Sequence, residues 1–341
     1  MNPRHIIISR TDSIGDVVLT FPMLGLIKQK YPDIKITFLG QNYTRPVAMA
    51  CSHIDFFLDW NEMLGHSYET RVTLLRSLEA DVILHVFPRK EIAILARKAG
   101  IPVRMGTTGR LYHWFNCNRL IKLSRKESPL HEAQLNILLA ERLLGKQLLP
   151  IEDIPALYGF DKIAPLPDEI SSQLDPLRYN LILHPKSKGS AREWGADNFA
   201  TLANLLPKEE YKIFVTGTKA EGDLLIQEGF FNNLRDITDL TGKMSLEKMI
   251  SFIQAADGLI AASTGPLHIA AALGKIALGI YPPIRPMHPG RWAPIGTKAS
   301  FLIADKECDD CRESGPCHCM LGITPLQVKQ KLEALVYAKV T

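Results

Sequence analysis

Three short segments carry residue types suited to moving a proton or holding a phosphate. The first is Ser9-Arg-Thr-Asp-Ser-Ile-Gly-Asp16, leading into Val17-Val-Leu-Thr-Phe-Pro22. Asp16 falls in the first turn of a predicted helix, where free backbone N–H groups and the helix dipole stabilise a carboxylate, and Gly15 is expected to let the backbone turn sharply. Such a carboxylate suits a general base acting on an alcohol, and plain helix capping is the alternative. The second segment is His184-Pro-Lys-Ser-Lys-Gly-Ser-Ala-Arg-Glu-Trp194. Its small residues, interleaved with Lys186, Lys188 and Arg192, offer hydroxyl, backbone and cationic donors for a phosphate, or else form a basic surface loop. Trp194 reads as a packing residue. The third is Ala262-Ser-Thr-Gly-Pro-Leu-His268 with Ala270, Ala271 and Ala272 behind it. Ser263 or Thr264 can cap a helix that has Pro266 in its first turn, which makes a helix N-terminus available to a diphosphate. His268 is either a buried histidine or a functional one. Neither G-x-G-x-x-G nor Walker A occurs, and Ser263 lacks the G-x-S-x-G elbow of a nucleophile.

The elements that must position these segments alternate. In the first half, strands are predicted at 5–9, 34–39 and 81–87, with helices at 16–30, 67–78, 90–99 and 129–144, the last ending at Gly145. Residues 146–178 are Pro-rich and read as a linker. Alternation then restarts, with strands at 180–184, 212–216, 258–262 and 276–280 and helices at 197–206, 220–228, 245–256 and 266–273. A final amphipathic segment at 324–338 is free to pack on either half. This order implies βαβ units: an α/β fold of two Rossmann-like domains with parallel sheets, residues 1–165 and 166–341. In such sheets ligands bind beyond the carboxyl ends of the strands, where all three segments lie.

The 341 residues, 46% hydrophobic and 22% charged, suit about two soluble domains and exclude a disordered or fibrous chain. The net charge of +4 is unevenly spread: residues 1–165 hold 21 Lys/Arg against 16 Asp/Glu, and the remainder 19 against 20. Between residues 89 and 126, ten cations face only Glu91. That run suits an anionic partner or a solvated face, and nucleic acid is the weakest option because no recognition pattern accompanies it. The N-terminal apolar run is too short for a signal peptide and no segment reads as a membrane span, so a cytoplasmic protein with reduced thiols is expected.

Together, Asp12-Ser-Ile-Gly-Asp16 with the helix to Tyr31-Pro32, the 184–194 loop, Thr216-Gly-Thr-Lys-Ala-Glu221, Leu240-Thr-Gly-Lys-Met-Ser-Leu246 and Ser263-Thr-Gly-Pro-Leu-His268 resemble glycosyltransferase family 9. These are the ADP-heptose:lipopolysaccharide heptosyltransferases. The resemblance implies a GT-B fold with an interdomain cleft, an ADP-heptose donor on the second domain and an anionic lipopolysaccharide core precursor on the first. It implies Asp16 as catalytic base, Ser187 and Arg192 at the diphosphate, Glu221 at the ribose, Met244 against the adenine, and Thr264, Gly265 and His268 at the phosphate-binding helix start. Ser263 stands where the family usually carries Asp. Lys188 is added to the donor site on chemical grounds alone. Arg10, Arg104, Arg110 and Arg119 are the expected acceptor contacts, and neutralising the last three is expected to weaken acceptor binding more than donor binding. With these cations at the leaving group no metal cofactor is required. The expected setting is peripheral, at the inner face of the inner membrane. A relative using another sugar or acceptor, or a non-catalytic nucleotide-binding protein, is the alternative.

Cys308, Cys311, Cys317 and Cys319 with His318 either hold a structural zinc or remain reduced thiols.

Overall fold

The computed structural model describes residues 2–126, 128–187, 189, 191–284, 287–304 and 318–338. The chain divides into two compact units, Met1–Lys162 and Ile163–Thr341. In the first, β1 (His5–Ser9), β2 (Lys35–Gly40), β3 (Phe56–Asp59), β4 (Val82–His85), β5 (Val103–Thr107) and β6 (Arg119–Ile121) form one sheet in the order β3-β2-β1-β4-β5-β6. In the second, β7 (Tyr179–His184), β8 (Tyr211–Val215), β9 (Ile237–Asp239), β10 (Gly258–Ala262), β11 (Ile276–Tyr281) and β12 (Ala299–Ile303) are ordered β12-β11-β10-β7-β8-β9. All pairs in both sheets are parallel.

Helices cover both faces of such sheets, so central strands lose the alternation of a half-exposed strand. Ile6, Ile7 and Ile8 of β1 are all fully buried, as are nearly all residues of β10 and β11. One core packs β1 and β4 against Leu75, Ile92, Leu95 and Ala96, and the other gathers Trp194, Phe199, Ile260 and Leu278. The final helix, Pro325–Tyr337, belongs to the second core, where Val328 and Leu332 are fully buried.

Several expected elements differ from those observed. The helix expected at 16–30 is two helices, Ile14–Val18 and Phe21–Lys30. Pro22 has no N–H, and its ring would meet the carbonyl four residues earlier, so a new helix must start beside it. Gly15 lies within the first of these helices; the chain bends at Asp12 and enters the helix through the extended Ser13 instead. The helix expected at 129–144 splits into Glu132–Leu139 and Glu141–Leu144, capped by Gly145 at φ 85°. Residues 151–160, expected in the linker, fold onto the first unit. Ile154, Leu157 and Tyr158 are buried, Phe160 packs on Phe21 at 5.6 Å, and Gly25 admits the Leu157 carbonyl where a Cβ would collide with it. Strands β3, β5, β6, β9 and β12 fall outside the expected set; they lie away from the sheet centres, where weaker burial blurs the pattern.

Candidate active site

A ligand crevice forms in a parallel sheet where neighbouring strands send their chains in opposite directions, because the two following loops part there. The strand orders put that point between β1 and β4 in the first unit and between β7 and β10 in the second. The Asp16 segment follows β1, the 184–194 loop follows β7, and Ser263 and Thr264 follow β10.

In the first unit, Asp16 is held on both carboxylate oxygens: Arg10 Nη2 donates to Oδ1 and Ser13 Oγ to Oδ2. Arg10 is only 2% exposed. Its Nε donates to Asp12 Oδ1 at 2.8 Å, and Nη1 to Glu132 Oε1 and Asn136 Oδ1, both at 3.2 Å. Arg125 pairs with the same Glu132 and donates to Asn136 Oδ1 at 3.0 Å. Burial opposes the Arg10 charge, but Asp12, Asp16 and Glu132 outweigh it and raise the guanidinium pKa further. Burial also pushes the Asp12 carboxyl up to about 7, against the pull of Arg10. Arg10 therefore does not present an open cation to an acceptor, as the sequence suggested; it is the floor on which Asp16 rests.

The loop itself is tied from the side. Arg89 donates through Nε to Thr11 Oγ1 and through Nη2 to the Thr11 carbonyl at 3.1 Å, Gln41 Nε2 to the same carbonyl at 2.8 Å, and Tyr43 OH to the Asp12 carbonyl at 2.8 Å. Sequence reasoning missed Arg10 as a support, together with Glu132, Asn136, Arg125, Arg89 and Tyr43. The available signal was the near absence of acids around so many cations, which leaves Glu132 as a partner to look for.

The other acceptor candidates separate. Arg104 is half-buried in β5 and spends its guanidinium on the carbonyls of Asn116, at 2.7 Å, and Ile101. Arg110 and Arg119 are exposed.

In the second unit, Lys186 is 8% exposed and bound to Glu228 at 2.6 Å and Glu193 at 3.3 Å, so this cation of the expected phosphate cradle stabilises the loop. Glu193 Oε1 also accepts from the Ser187 N–H at 3.0 Å, and Ser187 Oγ donates to the Ala191 carbonyl at 2.8 Å. Arg192 is half-buried in the same loop, and Lys188 lies outside the described residues. Trp194 is fully buried and donates to the Ile323 carbonyl at 2.7 Å, a packing role. Glu221 closes a capping box: its Oε2 accepts from the Thr218 N–H at 2.7 Å, and Thr218 Oγ1 accepts from the Glu221 N–H at 3.3 Å. Met244 is half-buried just before helix Leu246–Ala255.

After β10, Thr264 occupies the N-cap of helix Gly265–Ala272, yet its side chain makes no capping bond. The residue is 4% exposed, and its Oγ1 has no hydrogen-bond partner among the described residues. A buried hydroxyl left this way costs free energy unless something else bonds it, and a phosphate at the helix N-terminus would do so. His268 is also buried, one turn on. Ser263 hydrogen-bonds the phenol of Tyr281, whose pKa burial raises. Cys308, Cys311 and Cys317 lie outside the described residues; Cys319 is half-buried in helix His318–Leu321.

The profile of glycosyltransferase family 9 (heptosyltransferase) matches residues 72–318. The chain belongs to this family. Glycosyltransferase family 9 relatives cover most of its length. A Haemophilus influenzae protein provisionally described as a glycosyltransferase is 27% identical over 298 residues, 85% of this chain and 86% of its own. The lipooligosaccharide heptosyltransferase 2 of the same species is 23% identical, over 97% of this chain and 99% of its own. The solved Escherichia coli ADP-heptose lps heptosyltransferase II superposes with a TM-score of 0.75 at 20% identity, covering 99% of this chain and all of that one. The fold is thus that of the GT-B heptosyltransferases, and the protein is a glycosyltransferase.

Proposed function

We propose that this family 9 glycosyltransferase moves heptose from ADP-heptose to a lipopolysaccharide core precursor with inversion, using Asp16 as the general base. The observation that carries this reading is the doubly anchored Asp16 at the crevice of the first sheet. Arg10 and Ser13 orient the carboxylate while leaving each oxygen a further lone pair. As the acceptor hydroxyl attacks the anomeric carbon, Asp16 takes its proton. The bond from that carbon to the diphosphate oxygen breaks, and ADP departs with the negative charge.

Arg192, Lys188, Ser187 and the Gly265–Ala272 helix start with Thr264 and His268 receive that charge; Glu221 faces the ribose and Met244 the adenine. The orphaned Thr264 hydroxyl supports this assignment. Residues 1–165 bind the acceptor, with Arg110 and Arg119 meeting its anionic groups, and residues 166–341 bind the donor. A precursor anchored in lipid places the reaction at the cytoplasmic face of the inner membrane. Among the described residues no helix is long and apolar enough to cross a membrane, so the contact would be peripheral.

The deciding experiment incubates purified protein with ADP-heptose and deacylated core acceptor and follows product and ADP. Absence of product with ADP released from a different nucleotide sugar would establish another donor. Ser263, where the family resemblance leads one to expect Asp, is the feature that favours that second reading.

A further inference from the structure

We propose that helix Leu111–Asn116 is the surface that docks this protein on an anionic lipid bilayer. The helix is amphipathic in the sense opposite to that of a soluble protein. Its buried side carries polar groups: His113 is fully buried with Nδ1 against the Thr107 carbonyl at 3.0 Å, and buried Asn116 donates to the Tyr112 carbonyl at 2.7 Å. Its outer side carries Leu111, Trp114 and Phe115, exposed by 75, 59 and 66%. The spacing i, i+3, i+4 puts these three on one face.

Two features fit a bilayer interface rather than scattered surface apolarity. The indole N–H of Trp114 is already satisfied by the Thr108 carbonyl at 2.9 Å, which leaves an apolar face that needs no protein partner. The charge in the flanking sequence is of one sign: residues 92–126 contain eight Lys/Arg and no acid. Arg97, Lys98, Arg110, Arg119 and Lys122 among them are exposed. Aromatic and aliphatic side chains that enter the interface, ringed by cations that meet anionic headgroups, are what peripheral binding requires.

The position suits the reaction. β5 leaves its parallel sheet at Thr107, three residues before Arg110, on the same edge where β1 leaves at Ser9 toward Asp16. The docking helix thus begins on the carboxyl edge that carries the base. This inference rests on a lipid-held acceptor, but vesicles containing no acceptor test it independently of any transfer.

The test uses the full-length protein with vesicles of phosphatidylglycerol and phosphatidylcholine, and with phosphatidylcholine alone. Wild type is expected to sediment with the anionic vesicles, with Trp114 emission shifting to the blue and Trp114→Phe abolishing the shift. Leu111→Ser/Phe115→Ser is expected to lower partitioning by at least about tenfold, since burying one apolar side chain suffices for that factor. The double variant should keep its melting temperature and its turnover of a soluble deacylated acceptor. Equal partitioning of wild type and double variant, or none by wild type, would overturn the proposal. So would a dimer that the double substitution splits in sedimentation without changing vesicle binding, which would make this face a contact between copies. Loss of turnover on the soluble acceptor with vesicle binding intact would overturn it too, by placing the helix in the reaction site.

Discussion

In the first unit, Asp16 rests on charged side chains brought from far along the chain, with Arg10 meeting Glu132 and Asn136 across 122 and 126 residues. The loops of the second unit lean more on near neighbours: Thr218 and Glu221 cap one helix across three residues and Ser187 meets Glu193 across six, while Lys186 reaches Glu228 across 42. One crevice is thus built on a buried ionic cluster and the other mainly on turns, caps and a helix end, with a single lysine tying its loop to Glu228 and Glu193. A buried ionic cluster is costly to break because each lost partner strands a charge, whereas a lost cap exposes one or two backbone groups to water. The Asp16 site should therefore be stiff and fragile, and the loops of the second unit tolerant and individually weak.

The comparison is sharpened first at the base. Asp16→Asn is expected to lower kcat by about 10² to 10⁴ with donor affinity unchanged, read by steady-state kinetics and ADP titration. Unchanged turnover would move the base elsewhere. Next, Glu132→Ala should destabilise the first unit by about 3–5 kcal/mol in urea denaturation, because Arg10 and Arg125 lose the carboxylate they share. A cost under about 1 kcal/mol would show that the cluster is not the stiff floor described above.

The pH dependence tests the first unit further. His85 ends β4 beside Ser9, is 1% exposed, and neither ring nitrogen has a hydrogen-bond partner among the described residues. Burial, then His113 and Arg104, push it down to about 3. Its unfolded form binds a proton below about 6.5 that the folded form refuses until about 3. Stability present above that upper value should thus be lost as pH falls, by up to about 1.4 kcal/mol per pH unit. His85→Leu should remove this contribution, so that the stability difference between wild type and variant changes with pH in denaturation between pH 4 and 7, whereas a difference constant over that range would assign the loss elsewhere.

In the second unit, Glu221→Ala should cost only about 1 kcal/mol of stability, the value of one cap, while weakening ADP binding in calorimetry. A larger stability loss would break the contrast between the units. The smallest structural effect belongs to Arg110→Ala/Arg119→Ala, within about 0.5 kcal/mol of wild type because both side chains are exposed, with acceptor affinity reduced and ADP affinity kept. Arg104→Ala should instead lose stability, since its guanidinium closes two carbonyls of the β5 region.

The central strands, the helices around them and the two-unit α/β layout were legible in the sequence. Long apolar runs such as Ile6-Ile7-Ile8, and turn residues such as Pro266 and Gly145, act through local backbone preference and simple burial. The same local logic located Asp16 after β1 and Thr264 after β10, because strand–helix junctions can be read from a few residues. The outer strands escaped because they are only partly buried, which weakens their apolar pattern.

What the tertiary structure alone decided is which charges are available. Arg10, Lys186 and Arg104 resemble Arg110 and Arg119 as letters. Yet the first three are committed to carboxylates or carbonyls, whereas Arg110 and Arg119 stay exposed. Local sequence sets where a side chain leaves the backbone. Whether its charge meets water, a ligand or a buried partner depends on residues that only folding brings within a few ångströms.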